Sequence, residues 1–159
     1  MDHRRPNSLI LVTNQSGKII VMTSVTDLAK RCQHYMRRIL EVSQQVSALH
    51  IACAFSTVEM MDCGFFGLID HGSNYVKPDT FTLSKGHAAI GQFIVLEHWG
   101  VLSQSDLDLY CKPGGRLGGY PDFSVSGINA STGSLAHGMG VAVDRVHSDR
   151  NCNASWKGL

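Results

Sequence analysis

The sequence lacks the features that mark membrane-spanning and nucleic-acid-binding proteins. No apolar run approaches the ~20 residues that a transmembrane helix needs, and the early run Leu9–Thr13 is too short for a signal peptide. The 14 basic and 13 acidic residues nearly cancel. Charge therefore gives no argument for nucleic acid or an anionic membrane as the main partner.

The sequence also lacks paired cysteines. Its five cysteines are odd in number and form no Cys-x-x-Cys pair, which argues against a zinc knuckle and a redox dithiol. We therefore expect a cytoplasmic chain with reduced, mostly buried thiols and with neither a nucleic-acid nor a membrane partner.

What is present suits one globular domain. Apolar residues make up 43% of the 159 residues and only 17% are charged, so intrinsic disorder is excluded. We divide the chain into an N-terminal extension over residues 1–25, a domain over 26–145 and a polar tail over 146–159. In the extension, the β-prone runs Leu9–Thr13 and Lys18–Thr23 predict either a hairpin or a disordered segment.

Helical periodicity begins near residue 28. Apolar residues at helical spacing from Leu28 to Val46 predict a helix with one packed side. We interpret its charged side as a solvated face, which consists of Lys30, Arg31, Arg37, Arg38 and Glu41. The pattern Ser56-Thr-Val-Glu59 predicts a capping box that opens a second helix, followed by methionines and aromatics of the core.

The second half of the domain alternates apolar segments with turns. Phe81–Leu83 is a short strand candidate, and the apolar helix predicted over Ala88–Trp99 ends at Gly100. Ser103 resembles the start of another helix, and residues 112–132 read as a long loop.

A last helical segment is rich in small residues, which weaken a free helix and make sense where another backbone approaches closely. These small residues are Ala136, Gly138, Gly140 and Ala142.

Two turns could carry chemistry. Ser84-Lys-Gly-His87 follows the strand candidate, where open α/β sheets bind ligands, and Lys85 and His87 would add donors for a phosphate. The alternative is a plain strand–helix turn with a solvated lysine. Ser131-Thr-Gly-Ser134 could present backbone groups to a flat heterocycle, or it could be only a helix cap.

The histidines are ambiguous taken singly. His50 lies in an apolar stretch, where a histidine is either a satisfied structural group or a proton carrier near neutral pH. We interpret His98 and His137 as structural. The sequence shows no Ser/His/Asp triad, Walker loop or paired-carboxylate spacing, so the motifs alone indicate only a phosphate-containing ligand.

The order of the motifs carries more than each motif alone. His50 in a small-residue stretch is followed by Phe55–Glu59, Thr82–Ala88, Arg116–Asp122 and Ala130–Met139. Together they resemble the N-terminal, thiamine diphosphate-binding part of transketolase, and their spacing is most similar to that of the split N-terminal subunits.

The resemblance implies an α/β fold class: the leading part of a thiamine diphosphate-binding fold, mostly helical with an incomplete parallel sheet. It implies transfer of a two-carbon ketol unit from a ketose phosphate to an aldose phosphate. The expected partner is a transketolase C-terminal subunit or half, in a homo- or hetero-oligomer. The alternatives are a truncated, non-catalytic chain or assembly module of the same family, and an unrelated helical phosphate-binding protein.

The resemblance also assigns residues. It makes His50 and His87 catalytic, His50 as a proton shuttle to substrate hydroxyls and His87 beside the coenzyme diphosphate. Substrate contacts are expected from His50 and from Tyr120, which stands where the family has a histidine. The cofactor is expected to be thiamine diphosphate with Mg²⁺, although the family's Gly-Asp-Gly metal ligands are absent from this chain. The expected cofactor-binding residues are His87, Gly133, Ser134 and Leu135.

Overall fold

The computed structural model describes residues 10–13, 19–22, 25–46, 49–65, 69 and 79–155. The strands are β1 (Ile10–Thr13) and β2 (Ile19–Met22). The helices are α1 (Val25–Ser43), α2 (Ile51–Phe55), α3 (Val58–Cys63), α4 (Ala89–His98), α5 (Gln104–Asp108) and α6 (His137–Ser155). A 3₁₀ turn, Gly86–Ala88, leads directly into α4.

The two strands form an antiparallel pair. Ile10 lies opposite Met22 and Thr13 lies opposite Ile19. The choice between a hairpin and a disordered segment for the whole of residues 1–25 stays a prediction, because residues 14–18 lie outside the described residues. The boundary of the extension at residue 25 stays a prediction.

Helix α4 is the centre of the core. Every residue from Ala89 to Leu96 is buried, as expected of a helix that is apolar on all sides. Helices α1, α2 and α3 pack around it. Gly91 allows close packing, since a Cβ there would lie 3.4 Å from the Met61 sulfur and 3.6 Å from the Ala54 Cβ.

The predicted C-terminal end of α4 and the predicted N-terminal start of α5 are both confirmed. Gly100 has a φ of +72°, and its N–H donates to the Glu97 carbonyl while the Val101 N–H donates to the Leu96 carbonyl. This is the Schellman arrangement in which glycine follows a helix. Ser103 caps α5 in a reciprocal capping box with Asp106.

The capping box predicted for Ser56 and Glu59 is wrong. Helix α3 begins at Val58 with Thr57 as its N-cap, and no side-chain cap hydrogen bond forms. The reason is that α2 lies immediately before it. The backbone N–H groups of Ser56 and Thr57 already donate to carbonyls of α2, and the Ser56 hydroxyl donates to the Cys53 carbonyl.

The solvated face predicted for α1 is wrong at two positions. Arg31 donates two hydrogen bonds, 2.8 and 2.7 Å long, to the buried carboxylate of Asp62 on α3. Arg38 forms a similar pair with Glu97 on α4. Both guanidinium groups reach past the surface of α1 to carboxylates on neighbouring helices, and these hydrogen bonds raise their pKa values.

The strand predicted at Phe81–Leu83 is not present. These residues belong to no strand, and side chains of the long loop bind one backbone group of Phe81 and one of Leu83. The Phe81 N–H donates to Asn129 Oδ1, and the Leu83 carbonyl accepts from Thr132 Oγ1 at 2.6 Å. The sole sheet within the described ranges is the β1–β2 hairpin, so the incomplete parallel sheet stays a prediction.

The long loop and the C-terminal helix complete the fold. Residues 109–136 contain no helix or strand, and the buried side chains of Leu117, Val125 and Ile128 fix the loop on the core. Helix α6 continues to Ser155, through most of the predicted polar tail. Apolar periodicity reports burial rather than helix formation, and residues 147–155 are mostly polar, so this part of α6 shows no periodic signal.

The cysteines test the expectation of reduced, mostly buried thiols. Four cysteines whose side chains are described are free, but Cys32 alone among them is buried, so the expectation of mostly buried thiols is wrong for this set.

None of the helices in the described ranges is both long and apolar enough to cross a lipid bilayer.

Candidate functional site

The two predicted site histidines lie close together in space. His50 is the N-cap residue of α2, and His87 lies in the 3₁₀ turn before α4. Their ring centroids are 5.5 Å apart with the ring planes inclined by 71°. His50 is exposed and His87 is half-buried. Residues 37 positions apart in the sequence therefore place two proton-carrying side chains at one accessible point.

The local fold at His50 explains how the ring is presented. The His50 carbonyl accepts hydrogen bonds from the N–H groups of Cys53 and Ala54, at 3.0 and 3.1 Å, which starts α2. No side-chain cap hydrogen bond forms at this position, so the imidazole is not used to hold the helix end.

A second contact joins the same two segments. Lys85 Nζ donates a 2.8 Å hydrogen bond to Ser56 Oγ, at the C-terminal end of α2. No carboxylate in the described part of the chain forms an ion pair with Lys85. The site therefore carries a positive charge that the described side chains do not neutralise.

The two candidate turns lie against each other. A Cβ built on Gly86 would lie 2.6 Å from the Thr132 carbonyl oxygen and 2.8 Å from the Gly133 nitrogen, so only glycine permits this approach. One strong hydrogen bond, from Thr132 Oγ1 to the Leu83 carbonyl, holds the turn in place. Because His87 directly follows Gly86, this backbone contact brings His87 close to Gly133.

The start of α6 packs against Ser84, at the beginning of the first of these turns. A Cβ on Gly138 would lie 2.6 Å from Ser84 Cα, so the predicted close approach of another backbone is confirmed at this glycine. At Gly140 the space around a Cβ is open. Close approach therefore explains one glycine of this segment and not the other.

Tyr120 reaches the site from the long loop. A Cβ on Gly133 would meet the Tyr120 ring at 3.5 Å, which places the aromatic face beside this turn. The side chain of Tyr120 is about half exposed. Ser134 and Leu135 follow Gly133 and are exposed, Leu135 by 65%. The exposed Leu135 side chain and the Tyr120 ring each offer apolar surface near this turn.

The donor set can be compared with the implied cofactor. An ammonium and two imidazoles suit the anionic end of thiamine diphosphate, and Leu135 and Tyr120 offer apolar surface for its rings. Mg²⁺ does not fit in the same way. In the ranges that the structure describes, no three His, Cys, Asp or Glu residues are grouped so that they could hold a metal ion.

Ser56 is the site residue that the sequence interpretation missed. Its place in the pattern Ser56–Glu59 pointed to a helix cap. Its actual partner, Lys85, lies 29 residues away, and no local signal links the two positions.

Comparison with known proteins finds relatives from one family. Residues 37–158 match the family "Transketolase, thiamine diphosphate binding domain". The chain is 27% identical over 136 residues to an apulose-4-phosphate transketolase subunit of Phocaeicola vulgatus, covering 84% of this chain and 48% of that protein. It is 28% identical to the subunit of the same name from Actinobacillus succinogenes, covering 76% and 45%.

Transketolase 1 of Saccharomyces cerevisiae is 32% identical over 84 residues, 52% of this chain and 12% of the yeast protein. The chain thus spans about half the length of the two bacterial subunits and a small part of the yeast enzyme. Since the family match covers well over half of the chain, this protein belongs to the transketolase family through its thiamine diphosphate-binding domain.

Proposed function

We propose that this chain forms the coenzyme-binding half of a transketolase-type active site. In that site a two-carbon ketol unit passes from a ketose phosphate to an aldose phosphate. The observation that carries the proposal is the 5.5 Å approach of His50 and His87 beside the turn at Gly133. Family membership supports the coenzyme, and the names of the relatives support the class of reaction.

The proposal gives each side chain a task. Bound thiamine diphosphate supplies the carbon nucleophile that attacks the ketose carbonyl. His87 binds beside the diphosphate, and His50 moves protons to and from substrate hydroxyls, which an imidazole does efficiently near neutral pH. Tyr120 donates a hydrogen bond to substrate from its phenol hydroxyl.

The turn at residues 133–135 receives the coenzyme rings. Gly133 contributes its backbone carbonyl, Ser134 a polar contact and Leu135 an apolar one. The exposure of Leu135 leaves its side chain free for that contact. We assign no Mg²⁺ ligand to the described residues, so no step of the proposal depends on the metal.

The proposal includes a partner that supplies the C-terminal half of the site. Two relatives are named as subunits of their enzymes, which supports a second polypeptide. Helix α6 also exposes apolar side chains at i, i+4 and i+7 spacing: Met139, Val143 and Val146. Such a face is typical of a surface that another chain covers. We place the assembly in the cytoplasm, in sugar phosphate metabolism, consistent with the free thiols.

Thermal unfolding tests the proposal. Thiamine diphosphate at about 100 times its dissociation constant should add ~2.7 kcal/mol, which corresponds to a melting-temperature rise of about 5–10 °C. The shift should be absent in His87→Ala and retained in His147→Ala, an exposed histidine on α6. Titrations with and without Mg²⁺ separate the metal from the coenzyme.

An unchanged melting curve for the unmodified chain would contradict coenzyme binding. It would favour the alternative of a non-catalytic assembly module. Ketol transfer measured after mixing with a transketolase C-terminal subunit then tests the activity itself.

A further inference from the structure

Lys85 carries a positive charge with donors to spare. Its Nζ donates one hydrogen bond to Ser56 Oγ, and this is its one polar contact among the described residues. An ammonium group has three N–H donors, so two remain for another acceptor. The side chain is half-buried and its partner is neutral. An anion placed here would gain a charge-assisted hydrogen bond.

Ser56 holds Lys85 in a defined position. The Ser56 hydroxyl donates its own proton to the Cys53 carbonyl, 2.9 Å away. Its oxygen is therefore left as an acceptor, which an ammonium can use and a second carbonyl could not. A serine that is anchored in this way fixes the lysine head group against the end of α2.

Each end of α2 contacts the segment Ser84–His87. His50 is the residue before this helix and Ser56 is the residue after it, about 9 Å apart along the axis at 1.5 Å per residue. His87 lies against His50 at one end, and Lys85 lies against Ser56 at the other. The segment Ser84–His87 thus runs beside α2 with a cation at one end and two imidazoles at the other.

We propose that Lys85 binds a phosphoryl oxygen of the ligand at this site and that Ser56 is its positioning residue. The inference rests on the proposed function and specifies the chemistry of one contact. The phosphoryl group belongs either to the coenzyme diphosphate or to a sugar phosphate.

Calorimetric titration of the full chain with matched ligands tests the contact. The probes are thiamine diphosphate against thiamine, ribose 5-phosphate against ribose, and inorganic pyrophosphate alone. Lys85→Gln should weaken binding of the phosphorylated member of a pair by about tenfold or more and leave the other member unchanged. Lys85→Arg should retain most of the affinity. Lys112→Gln is the matched control, because that lysine bonds to Gln45 and the Asp108 carbonyl elsewhere on the surface.

The pattern of loss identifies the source of the phosphoryl group. A loss confined to thiamine diphosphate assigns Lys85 to the coenzyme, and a loss confined to ribose 5-phosphate assigns it to the substrate. Equal affinity of Lys85→Gln and the unmodified chain for every phosphorylated probe would overturn the inference and leave the proposed function standing. If the unmodified chain binds pyrophosphate through Lys85 but not thiamine diphosphate, the proposed function fails and the inference stands; binding of no anion at all overturns both.

The positioning role of Ser56 has its own readout. Ser56→Ala should weaken pyrophosphate binding by a smaller factor than Lys85→Gln, about threefold, and Ser56→Thr should restore it. A purely structural hydrogen bond would lower the melting temperature of the ligand-free Ser56→Ala variant without changing its affinity for pyrophosphate. That result would overturn the positioning role.

Discussion

At the scale of single residues, the site depends on glycines where backbones touch. Gly86 meets the Thr132 carbonyl and Gly138 meets Ser84 Cα, each closer than a Cβ allows. The small residues of the last helix predicted such an approach, but nothing in the sequence identified Ser84 as the neighbour. A run of small residues predicts that another part of the chain packs closely against the helix, but it does not predict which residue that is.

Substitution of two glycines on α6 separates the close contact from helix propensity. Alanine at Gly140 meets nothing within 4 Å and should stabilise the helix by about 1 kcal/mol. Alanine at Gly138 must displace the Ser84 backbone and should destabilise the fold by about 1–3 kcal/mol, despite the same gain in propensity. Urea unfolding of both variants measures the difference, and equal effects would show that Ser84 does not press on α6.

At the scale of helices, charged side chains tie α1 to its neighbours. Asp62 is fully buried and accepts hydrogen bonds from Arg31 and from the Tyr35 hydroxyl, 3.0 Å away. Arg38 and Glu97 make the corresponding link to α4. Helical periodicity assigns such arginines to the solvent-exposed side of the helix. Whether a long side chain reaches a carboxylate on another helix depends on how the helices pack, which periodicity does not show.

Removal of one arginine tests that link. Arg31→Gln leaves the buried Asp62 carboxylate without its counter-charge and should cost about 3–5 kcal/mol of unfolding free energy. Arg37→Gln, on the exposed side of the same helix, should change it by no more than about 0.5 kcal/mol. Chemical denaturation of the two variants supplies the comparison; a similar small effect for both would mean that the Arg31–Asp62 pair contributes little.

Helix ends show which local signals suffice. Gly100 and Ser103 were predictable because the capping groups lie within five residues of each other. The capping box at Ser56 did not form because Ser56 ends α2: its N–H donates to the Ala52 carbonyl and its hydroxyl to the Cys53 carbonyl. A cap motif therefore predicts a helix start only where the chain before it is not already helical.

At the scale of the whole molecule, the order of the motifs predicted the family. It could not supply the contacts between them, such as Lys85 with Ser56 or Arg31 with Asp62, which join positions about thirty residues apart. The strand predicted at Phe81–Leu83 failed for a related reason. A strand needs a neighbour, and here loop side chains take its place.

The buried interior of the whole molecule should make its stability sensitive to alkaline pH. Burial, together with the nearby Asp62, raises the pKa of the Cys32 thiol from 9.0 to about 11. The buried hydroxyl of Tyr35 has a raised pKa for the same leading reason. The folded state thus keeps protons that the unfolded chain releases, so the unfolding free energy should fall as the pH rises above 9.

Cys32→Ala isolates the share of one thiol in this pH dependence. Below pH 8.5 the variant should be less stable than the unmodified chain by a constant amount, which reflects lost packing. Between pH 9 and 11 the difference should shrink by about 2 kcal/mol, because the variant has no thiol to hold protonated. Urea unfolding at each pH gives the two curves. Parallel curves up to pH 11 would show that Cys32 ionises as easily in the folded protein as in the unfolded chain, and so that the core around Asp62 admits water.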